Sequence, residues 1–163
     1  MAVLLYRIDE RLIHGQVVLG WGNTLHPDLI VVADDELAAS AWEQELYALG
    51  LPEGLEAVFH DVRTAREELP ALQAGARRVI ILTRDVDSML RVARDGALAG
   101  AEVNLGGIHH GTERQQVLPY LYLSSAERSG LRELAGTGAL ISARDLPSAR
   151  KVPLDRILEQ GTE

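Results

Sequence analysis

Short apolar runs rich in strand-forming residues alternate along this chain with amphipathic segments that favour helices. The runs occupy residues 3–8, 29–33, 55–60, 78–83, 101–105, 120–123 and 139–143, and the helical segments occupy residues 15–25, 36–49, 62–74, 85–99, 125–135 and 147–159. This alternation is typical of a mostly parallel sheet with helices on both faces. We therefore predict an α/β fold built on a single open sheet of about six to seven strands.

Residues 106–116 interrupt the alternation. They form the longest polar connection in the chain, and a short strand follows them without an intervening helix. This pattern predicts a hairpin-like excursion near one edge of the sheet, where an antiparallel edge strand is compatible with the fold.

Length and composition limit the number of domains and the kinds of partner and chemistry that this chain can have. The 163 residues fit one domain, so we interpret residues 1–163 as a single unit. A formal net charge of −8 argues against nucleic acid or an anionic membrane as the main partner, although a local basic patch could still bind a small anion. The chain has no cysteine, which excludes disulfides, thiolate nucleophiles and thiolate metal sites. No apolar run approaches the length of a membrane span, so we expect a soluble protein.

The functional site is expected at the carboxyl ends of the strands. In an open α/β sheet, ligands bind beyond the carboxyl ends of the strands, because the loops there converge on one edge. Four segments should therefore be neighbours: residues 9–15, 34–36, 83–85 and 106–111. His14 lies in the first of them.

The residues around His14 favour an anion. A helix that begins near Gly15 would direct its first backbone N–H groups, including that of Gln16, toward the loop. Arg11 can offer a planar set of donors to a phosphate oxygen. From these residues, His14 could accept a phosphoryl group, merely bind one, or be a structural histidine. The loop is neither a P-loop nor a dinucleotide fingerprint, because neither pattern follows the strand.

Three further residues are candidates for the same site. Arg7, near the end of the first strand, could contribute to phosphoryl binding or pair with Asp9. Asp9 is suited to accept hydrogen bonds from loop amides and so to hold the turn. Thr83 could donate a hydrogen bond to the phosphoryl group or cap the helix that follows Asp85.

The motif RIDERLIHGQV at residues 7–17 closely resembles the active-site loop of one protein family. That family comprises the enzyme IIB components of the mannose/fructose/sorbose family of the bacterial phosphoenolpyruvate-dependent sugar phosphotransferase system. The resemblance continues in LIVVADDE (29–36), VIILTRDV (79–86) and AEVNLGGI (101–108), and it covers essentially the whole chain.

The resemblance implies a phosphocarrier, a protein-histidine phosphotransferase. His14 would accept a phosphoryl group on Nδ1 from a phosphohistidine of a IIA protein and pass it to a sugar carried through the membrane by IIC and IID subunits. The sugar would be of the mannose, fructose, sorbose or N-acetylgalactosamine kind. Arg11 would contact the phosphoryl group, Asp9 would organise the loop, and no metal or other cofactor would be required. The implied location is the cytoplasm, with the inner face of the membrane reached through IIC and IID.

Other interpretations stay open. One alternative is a regulatory module in which phosphorylated His14 changes the affinity for a partner without transport; another is a hydrolase or lyase that uses the histidines of this edge with a metal. His109 and His110 are adjacent, so an extended segment would point them in opposite directions, and they form a poor metal pair. Asp34 and Asp35 are interpreted as turn and helix N-terminal charges. The sequence determines neither the sugar nor the oligomeric state.

Overall fold

The computed structural model describes residues 2–159. Its strands are β1 (Val3–Ile8), β2 (Leu29–Ala33), β3 (Glu56–His60), β4 (Val79–Thr83), β5 (Glu102–Leu105), β6 (Gln115–Leu118), β7 (Leu121–Leu123), β8 (Leu140–Ala143) and β9 (Val152–Pro153). Its helices are a π-helix (Gln16–Trp21), α1 (Gly22–Leu25), α2 (Asp35–Ala38), α3 (Ala41–Ala48), α4 (Val62–Ala74), α5 (Val86–Val92), a 3₁₀ turn (Arg94–Gly96), α6 (Ser125–Gly136) and α7 (Leu154–Glu159).

Seven strands form one sheet in the order β3-β2-β4-β1-β5-β8-β9. All neighbouring strands are parallel except β8 and β9, which pair antiparallel at one edge. The predicted α/β fold with a mostly parallel sheet and an antiparallel edge strand is therefore confirmed. β1 lies near the middle of this order, so the loop that follows it emerges from the centre of the sheet.

The sheet is covered on both faces, as the continuous apolar strands predict. Every residue of β2 and β4 is buried. Alternate side chains enter two separate cores: Val31 and Ile81 lie on the face covered by α4, α5 and α6, whereas Ile30 and Ile80 lie on the face covered by the π-helix. A two-sided core of this kind accounts for strands that lack an alternation of polar and apolar residues.

Two strand predictions need correction. The predicted hairpin-like excursion is present as the antiparallel pair β6 and β7, but β7, which was counted among the strands of the sheet, does not join it. The antiparallel edge strand is β9, which lies inside the predicted helix 147–159. Pro153 explains the difference, because a proline in a helix interior removes a backbone donor and clashes with the preceding turn. The helix begins only at Leu154.

Some of the helical segments match the prediction, and others are divided or end earlier. Residues 62–74 are helical as predicted, and α6 begins at Ser125 after a capping box formed by Ser124 and Glu127. The segment 36–49 is divided into α2 and α3, and the segment 85–99 ends as an α-helix at Val92. Within residues 2–159, no helix combines the length and apolar character needed to cross a bilayer.

Candidate functional site

The four loops that were expected to be neighbours do meet at the carboxyl edge of the sheet. The Asp9 N–H donates to the Thr83 carbonyl over 2.9 Å, and the Glu10 N–H donates to the Gly107 carbonyl over 2.9 Å. Arg84 donates to both carboxylate oxygens of Asp34, each over 3.1 Å. Hydrogen bonds thus connect the His14 loop to two of the other loops, and Arg84 joins the third.

The His14 loop makes a sharp turn. Leu12 is fully buried and has a φ of 56°, in the left-handed region that residues with side chains rarely adopt. Its N–H donates to the Asp9 carbonyl over 3.0 Å. Strain of this kind persists where the surrounding structure imposes it, and it concentrates at functional loops. Burial of the Leu12 side chain thus anchors the turn that presents His14.

Asp9 is the buried centre of the site. Its Oδ2 accepts from Arg7 over 3.1 Å and lies 3.1 Å from Nε2 of His14, while its Oδ1 accepts from the backbone N–H of Arg11 over 3.1 Å. Burial by itself raises the pKa of Asp9, but the hydrogen bond from His14, the charge of Arg7 and the Arg11 amide together lower it below its usual range. Asp9 is therefore an ionised carboxylate that only accepts hydrogen bonds.

This charge on Asp9 sets the protonation pattern of the His14 ring. An ionised carboxylate requires a donor, so Nε2 carries the proton and Nδ1 carries the lone pair. The backbone N–H of Gln16 donates to Nδ1 over 3.2 Å. The His14 side chain is 15% exposed. The ring is thus partly open to solvent, with a lone pair on the nitrogen that faces away from Asp9.

Arg7 lies beneath the loop and is fully buried. It donates to Asp9, to the carboxamide oxygen of Asn104, and to the backbone carbonyls of Arg144 and Asp145 at 2.9 and 3.1 Å. Burial lowers the pKa of Arg7, and the Asp9 carboxylate opposes that effect. Of the two roles considered for Arg7, this position favours the pair with Asp9, because a fully buried guanidinium does not reach the surface at His14.

Arg11 and Gln16 lie on the outer side of the loop. Nε of Arg11 donates to Asp9 over 3.3 Å, and a terminal nitrogen of the same guanidinium donates to the side-chain oxygen of Gln16 over 2.7 Å. The Arg11 side chain is 36% exposed. It is therefore held in place on one side while remaining accessible to an anion beside His14.

The expected row of free amides at the helix start is only partly present. The N–H groups of Val17 and Val18 both donate to the His14 carbonyl, at 3.0 and 2.9 Å, and the N–H of Gln16 donates to the His14 ring. These amides are engaged by short-range bonds at the start of the helix, because the His14 ring caps the Gln16 N–H and the His14 carbonyl accepts from the amides three and four residues later. Gly15 is exposed, with open space where a side chain would stand.

Thr83 lies below the site. Its side chain is fully buried, and its hydroxyl donates to the Asp85 carbonyl over 3.0 Å. Asp85 itself caps α5 by accepting from the Ser88 N–H over 2.8 Å. The hydroxyl of Thr83 thus neither caps this helix nor faces the open side of His14, and the backbone carbonyl of Thr83 holds the Asp9 loop.

The Gly106-Gly107 pair allows the loops to pack closely. A Cβ at Gly106 would overlap the Arg7 guanidinium and stand 2.6 Å from the Asp9 carboxylate, and one at Gly107 would stand 3.1 Å from the Arg11 guanidinium. Both glycines therefore leave room for the charged groups that surround Asp9. The sequence motif contains them, but only the fold shows what they make room for.

Glu10 was not identified from the sequence, and it ties the 106–111 loop to the His14 loop. Its carboxylate accepts from the backbone N–H of His109 over 3.0 Å and from Arg114 over 2.6 Å. Arg114 also donates to both oxygens of Glu127, in the capping box of α6.

His110 makes an edge-on contact with Tyr122. Within residues 2–159, no three side chains of the His, Asp and Glu types are grouped as a metal site would require.

Asp34 and Asp35 take the structural roles predicted for them. Asp34 caps α2 by accepting from the Leu37 N–H over 2.9 Å and pairs with Arg84. Asp35 accepts from the Val62 N–H over 2.9 Å and from Arg91 over 2.8 Å.

Two adjoining cavities open beside His14. One, of about 270 Å³, is lined by His14, Gly15, Leu19 and neighbouring residues. The other, of about 380 Å³, is lined by Trp42, Leu46, Arg84 and neighbouring residues. Ile13 and Gly50 line both cavities. A reactant or a partner that approaches His14 from this side therefore meets an apolar surface.

Similarity to known proteins identifies the family of this chain. Residues 3–163 match the family model described as the sorbose subfamily IIB component of the PTS system, the phosphotransferase system. The chain is 25% identical over 156 residues to the N-acetylgalactosamine-specific phosphotransferase enzyme IIB component 2 of Escherichia coli, covering 96% of this chain and 98% of that protein. It is 28% identical over 155 residues to the mannose-specific EIIAB component of Escherichia coli, covering 94% of this chain and 47% of that protein.

A solved structure shows the same fold. The IIBSor domain of the sorbose permease from Klebsiella pneumoniae superimposes with a TM-score of 0.87 at 26% sequence identity, covering 100% of both chains.

Proposed function

Because the chain belongs to the sorbose subfamily of IIB components of the sugar phosphotransferase system, whose members take part in phosphoryl transfer during sugar uptake, we propose that His14 is its phosphoryl carrier. His14 accepts the group from a phosphohistidine on a IIA protein and passes it to a sugar at the IIC and IID membrane subunits. The protein works in the cytoplasm, as one unit, and without a metal or other cofactor. The observation that carries this proposal is the hydrogen bond between His14 and Asp9, which leaves the lone pair on Nδ1.

In the first step, the Nδ1 lone pair of His14 attacks the phosphorus of the donor phosphohistidine. A new N–P bond forms while the N–P bond of the donor breaks, and the donor imidazole keeps that electron pair. The Gln16 N–H that now donates to Nδ1 can turn to a phosphoryl oxygen once the lone pair is used. In the second step, a sugar hydroxyl oxygen attacks the phosphorus, the N–P bond of His14 breaks, Nδ1 regains its lone pair, and the hydroxyl proton is released.

The charges around His14 suit a carrier. Phosphoryl transfer through a loose transition state needs mainly positioning and charge stabilisation. Arg11 lies on the accessible side of the loop and supplies the positive charge for the phosphoryl oxygens. Its guanidinium is shared with Asp9 and Gln16, so its donors are only partly available to the phosphoryl group. Such moderate stabilisation fits a group that must be passed on.

Asp9 and Arg7 act as positioning residues. Asp9 fixes the Nε2–H form of the ring, and Arg7 holds Asp9 from below while anchored to Asn104 and to two backbone carbonyls. Gly15 leaves the space beside the ring open, because no side chain stands there. We assign Thr83 to the support of the Asp9 loop and not to phosphoryl binding, since its hydroxyl is buried on Asp85.

Phosphoryl labelling tests this assignment. The protein is incubated with phosphoenolpyruvate, the two general proteins of the system and a cognate IIA, and its intact mass and acid lability are compared with those of His14→Ala and His109→Ala. We expect an acid-labile gain of one phosphoryl group in the wild type and in His109→Ala, and none in His14→Ala. Nuclear magnetic resonance of the labelled ring then identifies Nδ1.

Two outcomes would contradict the proposal. The first is no gain in the wild type although IIA itself is phosphorylated. The second is a gain that persists in folded His14→Ala. A stable label that reaches no sugar in the presence of membranes with the cognate IIC and IID would instead indicate a regulatory module.

A further inference from the structure

An apolar surface lies open beside His14. Leu19, Trp42, Leu46 and Leu49, which we call the α3 patch, are 62%, 65%, 57% and 82% exposed. Leu19 lines the cavity that contains His14, and Trp42 and Leu46 line the adjoining cavity. Clusters of exposed large apolar side chains commonly mark a binding surface.

Helix α3 contributes little to the core. None of its residues is buried, whereas α4 and α6 each bury three side chains against the sheet or its neighbours. The second turn of α3 instead places Leu46 in solvent, and Leu49 follows directly after the helix. Tyr47 packs partly against the core, but folding of this chain does not account for the exposed Trp42 and Leu46, whereas a partner that covers them would.

The unpaired charged residues near the α3 patch are acidic. Residues 12–62, which include the patch, contain no lysine or arginine. Glu43 lines the cavity next to Trp42, and Glu45 and Glu53 are exposed nearby in the chain. Arg84, which also lines this cavity, is paired with both carboxylate oxygens of Asp34. The rim of the patch is therefore acidic.

An acidic rim around an apolar centre selects a partner with a basic rim. The cytoplasmic loops of membrane proteins carry an excess of lysine and arginine, whereas the cytoplasmic lipid surface is itself negative and would repel this rim. We propose that the α3 patch docks a basic, apolar cytoplasmic loop of the membrane transporter subunits, and so places phosphorylated His14 over the sugar site. This inference rests on the proposed function, and it assigns the membrane-side contact to one surface.

The test distinguishes phosphate uptake by His14 from IIA from phosphate transfer at the IIC and IID subunits. We compare wild type, Trp42→Ala/Leu49→Ala, and the control Leu140→Ala, which removes an apolar side chain of similar exposure (59%) from β8. Uptake of phosphate from phosphorylated IIA is measured first. Sugar phosphorylation is then measured with membranes that contain IIC and IID, as is co-sedimentation of the unphosphorylated protein with those membranes and with membranes that lack the subunits.

We expect the double variant to take phosphate from IIA at the wild-type rate. Its KM in sugar phosphorylation should rise about tenfold or more, as truncation of central apolar anchors does in other interfaces, and co-sedimentation should weaken to match. The variant Glu43→Gln/Glu45→Gln should weaken binding mainly at low salt, because exposed charges are screened at high salt. Leu140→Ala should resemble the wild type.

Three results would overturn the inference. They are a defect confined to phosphate uptake from IIA, unchanged co-sedimentation in the double variant, and equal binding to membranes that lack the subunits. If the wild type takes up no phosphate at all, the proposed function fails. Co-sedimentation then still decides whether the α3 patch binds the subunits.

Discussion

The imidazole of His14 is joined to the carboxylate of Asp9, with Nε2 and Oδ2 separated by 3.1 Å. This contact distinguishes the two ring nitrogens, because the one that faces an ionised carboxylate must carry the proton. Asp9 is in turn held by the buried Arg7 and by the backbone N–H of Arg11. The reactivity of a partly exposed ring is thereby linked to a fully buried ion pair.

Asp9→Asn should affect both the phosphorylation of His14 and the stability of the fold. An amide oxygen cannot replace both carboxylate oxygens as acceptors, so the ring loses its fixed protonation pattern. We expect phosphate uptake by His14 to slow by about 10²- to 10⁴-fold, as happens when the carboxylate that orients a catalytic histidine becomes an amide. Because Arg7 stays buried without its ionic partner, the free energy of unfolding should also fall by about 3 kcal/mol.

Rapid-quench labelling and urea unfolding measure these two effects of Asp9→Asn. The control is Asp95→Asn, which removes a carboxylate that pairs with Arg66 at an 85% exposed position. It should change neither the labelling rate nor the stability appreciably, since exposed pairs contribute little. Labelling of folded Asp9→Asn at the wild-type rate would show that the Asp9 contact does not prepare the ring.

Much of this arrangement follows from the sequence. The alternation of strands and helices predicts that residues 9–15, 34–36, 83–85 and 106–111 meet at one edge, and hydrogen bonds and the Arg84–Asp34 pair join them there. The sequence suggests Asp9 as a partner of Arg7 but does not reveal the other partners, because Asn104 and the carbonyl of Arg144 lie 97 and 137 positions away. A charged residue inside an otherwise apolar strand does signal that such partners must exist.

Other differences between the predicted and the observed structure arise from specific interactions that the spacing of apolar residues does not predict. The segment after His14 is helical, but the ring and the carbonyl of His14 engage its first amides, which were expected to be free. β9 occupies a segment whose composition favours a helix, and Pro153 was the available signal against that interpretation. Glu10 acts through the tertiary contact with Arg114, which no local spacing predicts.

Acid should remove the stabilisation that Asp9 provides. The hydrogen bond from His14 and the charge of Arg7 outweigh burial and lower the pKa of Asp9 in the folded protein. A carboxyl group whose pKa is lower when folded stabilises fully above its unfolded pKa of about 3.9, and that stabilisation is lost as the pH falls below this value. Urea unfolding between about pH 6 and pH 2.5 measures the stability of wild type and Asp9→Asn. Their difference should shrink below about pH 4. A difference that stays constant with pH would contradict this linkage.

Gly106→Ala should distort the site from below. The added methyl group would overlap the Arg7 guanidinium and approach the Asp9 carboxylate to 2.6 Å, so one of these buried groups must move. We expect a loss of about 1–3 kcal/mol in unfolding free energy together with slower labelling of His14. Gly136→Ala is the control, because nothing lies within 4 Å of a methyl group there. Equal stability of the two variants would mean that the loops move apart without penalty.

Arg114→Ala should loosen the loop that carries His109. Arg114 joins Glu10 to the Glu127 carboxylate, and Glu10 also accepts the His109 N–H. We expect faster hydrogen exchange at the His109 amide and a loss of about 1 kcal/mol, since the pairs are partly exposed. Arg63→Ala removes a highly exposed pair with Glu67 and should leave that amide unchanged. Unaltered exchange at His109 in Arg114→Ala would show that Glu10 holds the loop without this arginine.

Arg11→Lys tests whether geometry or charge matters at the phosphoryl position. The planar guanidinium donates to Asp9 and Gln16 at the same time, which an ammonium group cannot reproduce in one orientation. With the positive charge retained, we expect labelling of His14 to slow by about tenfold or more, consistent with loss of a transition-state contact, while stability changes by less than about 1 kcal/mol. Arg84→Lys, which alters the pair with Asp34 instead, is the matched control. If both lysine variants label at the wild-type rate, positive charge alone suffices near His14, and the guanidinium shape of Arg11 serves only to hold the loop.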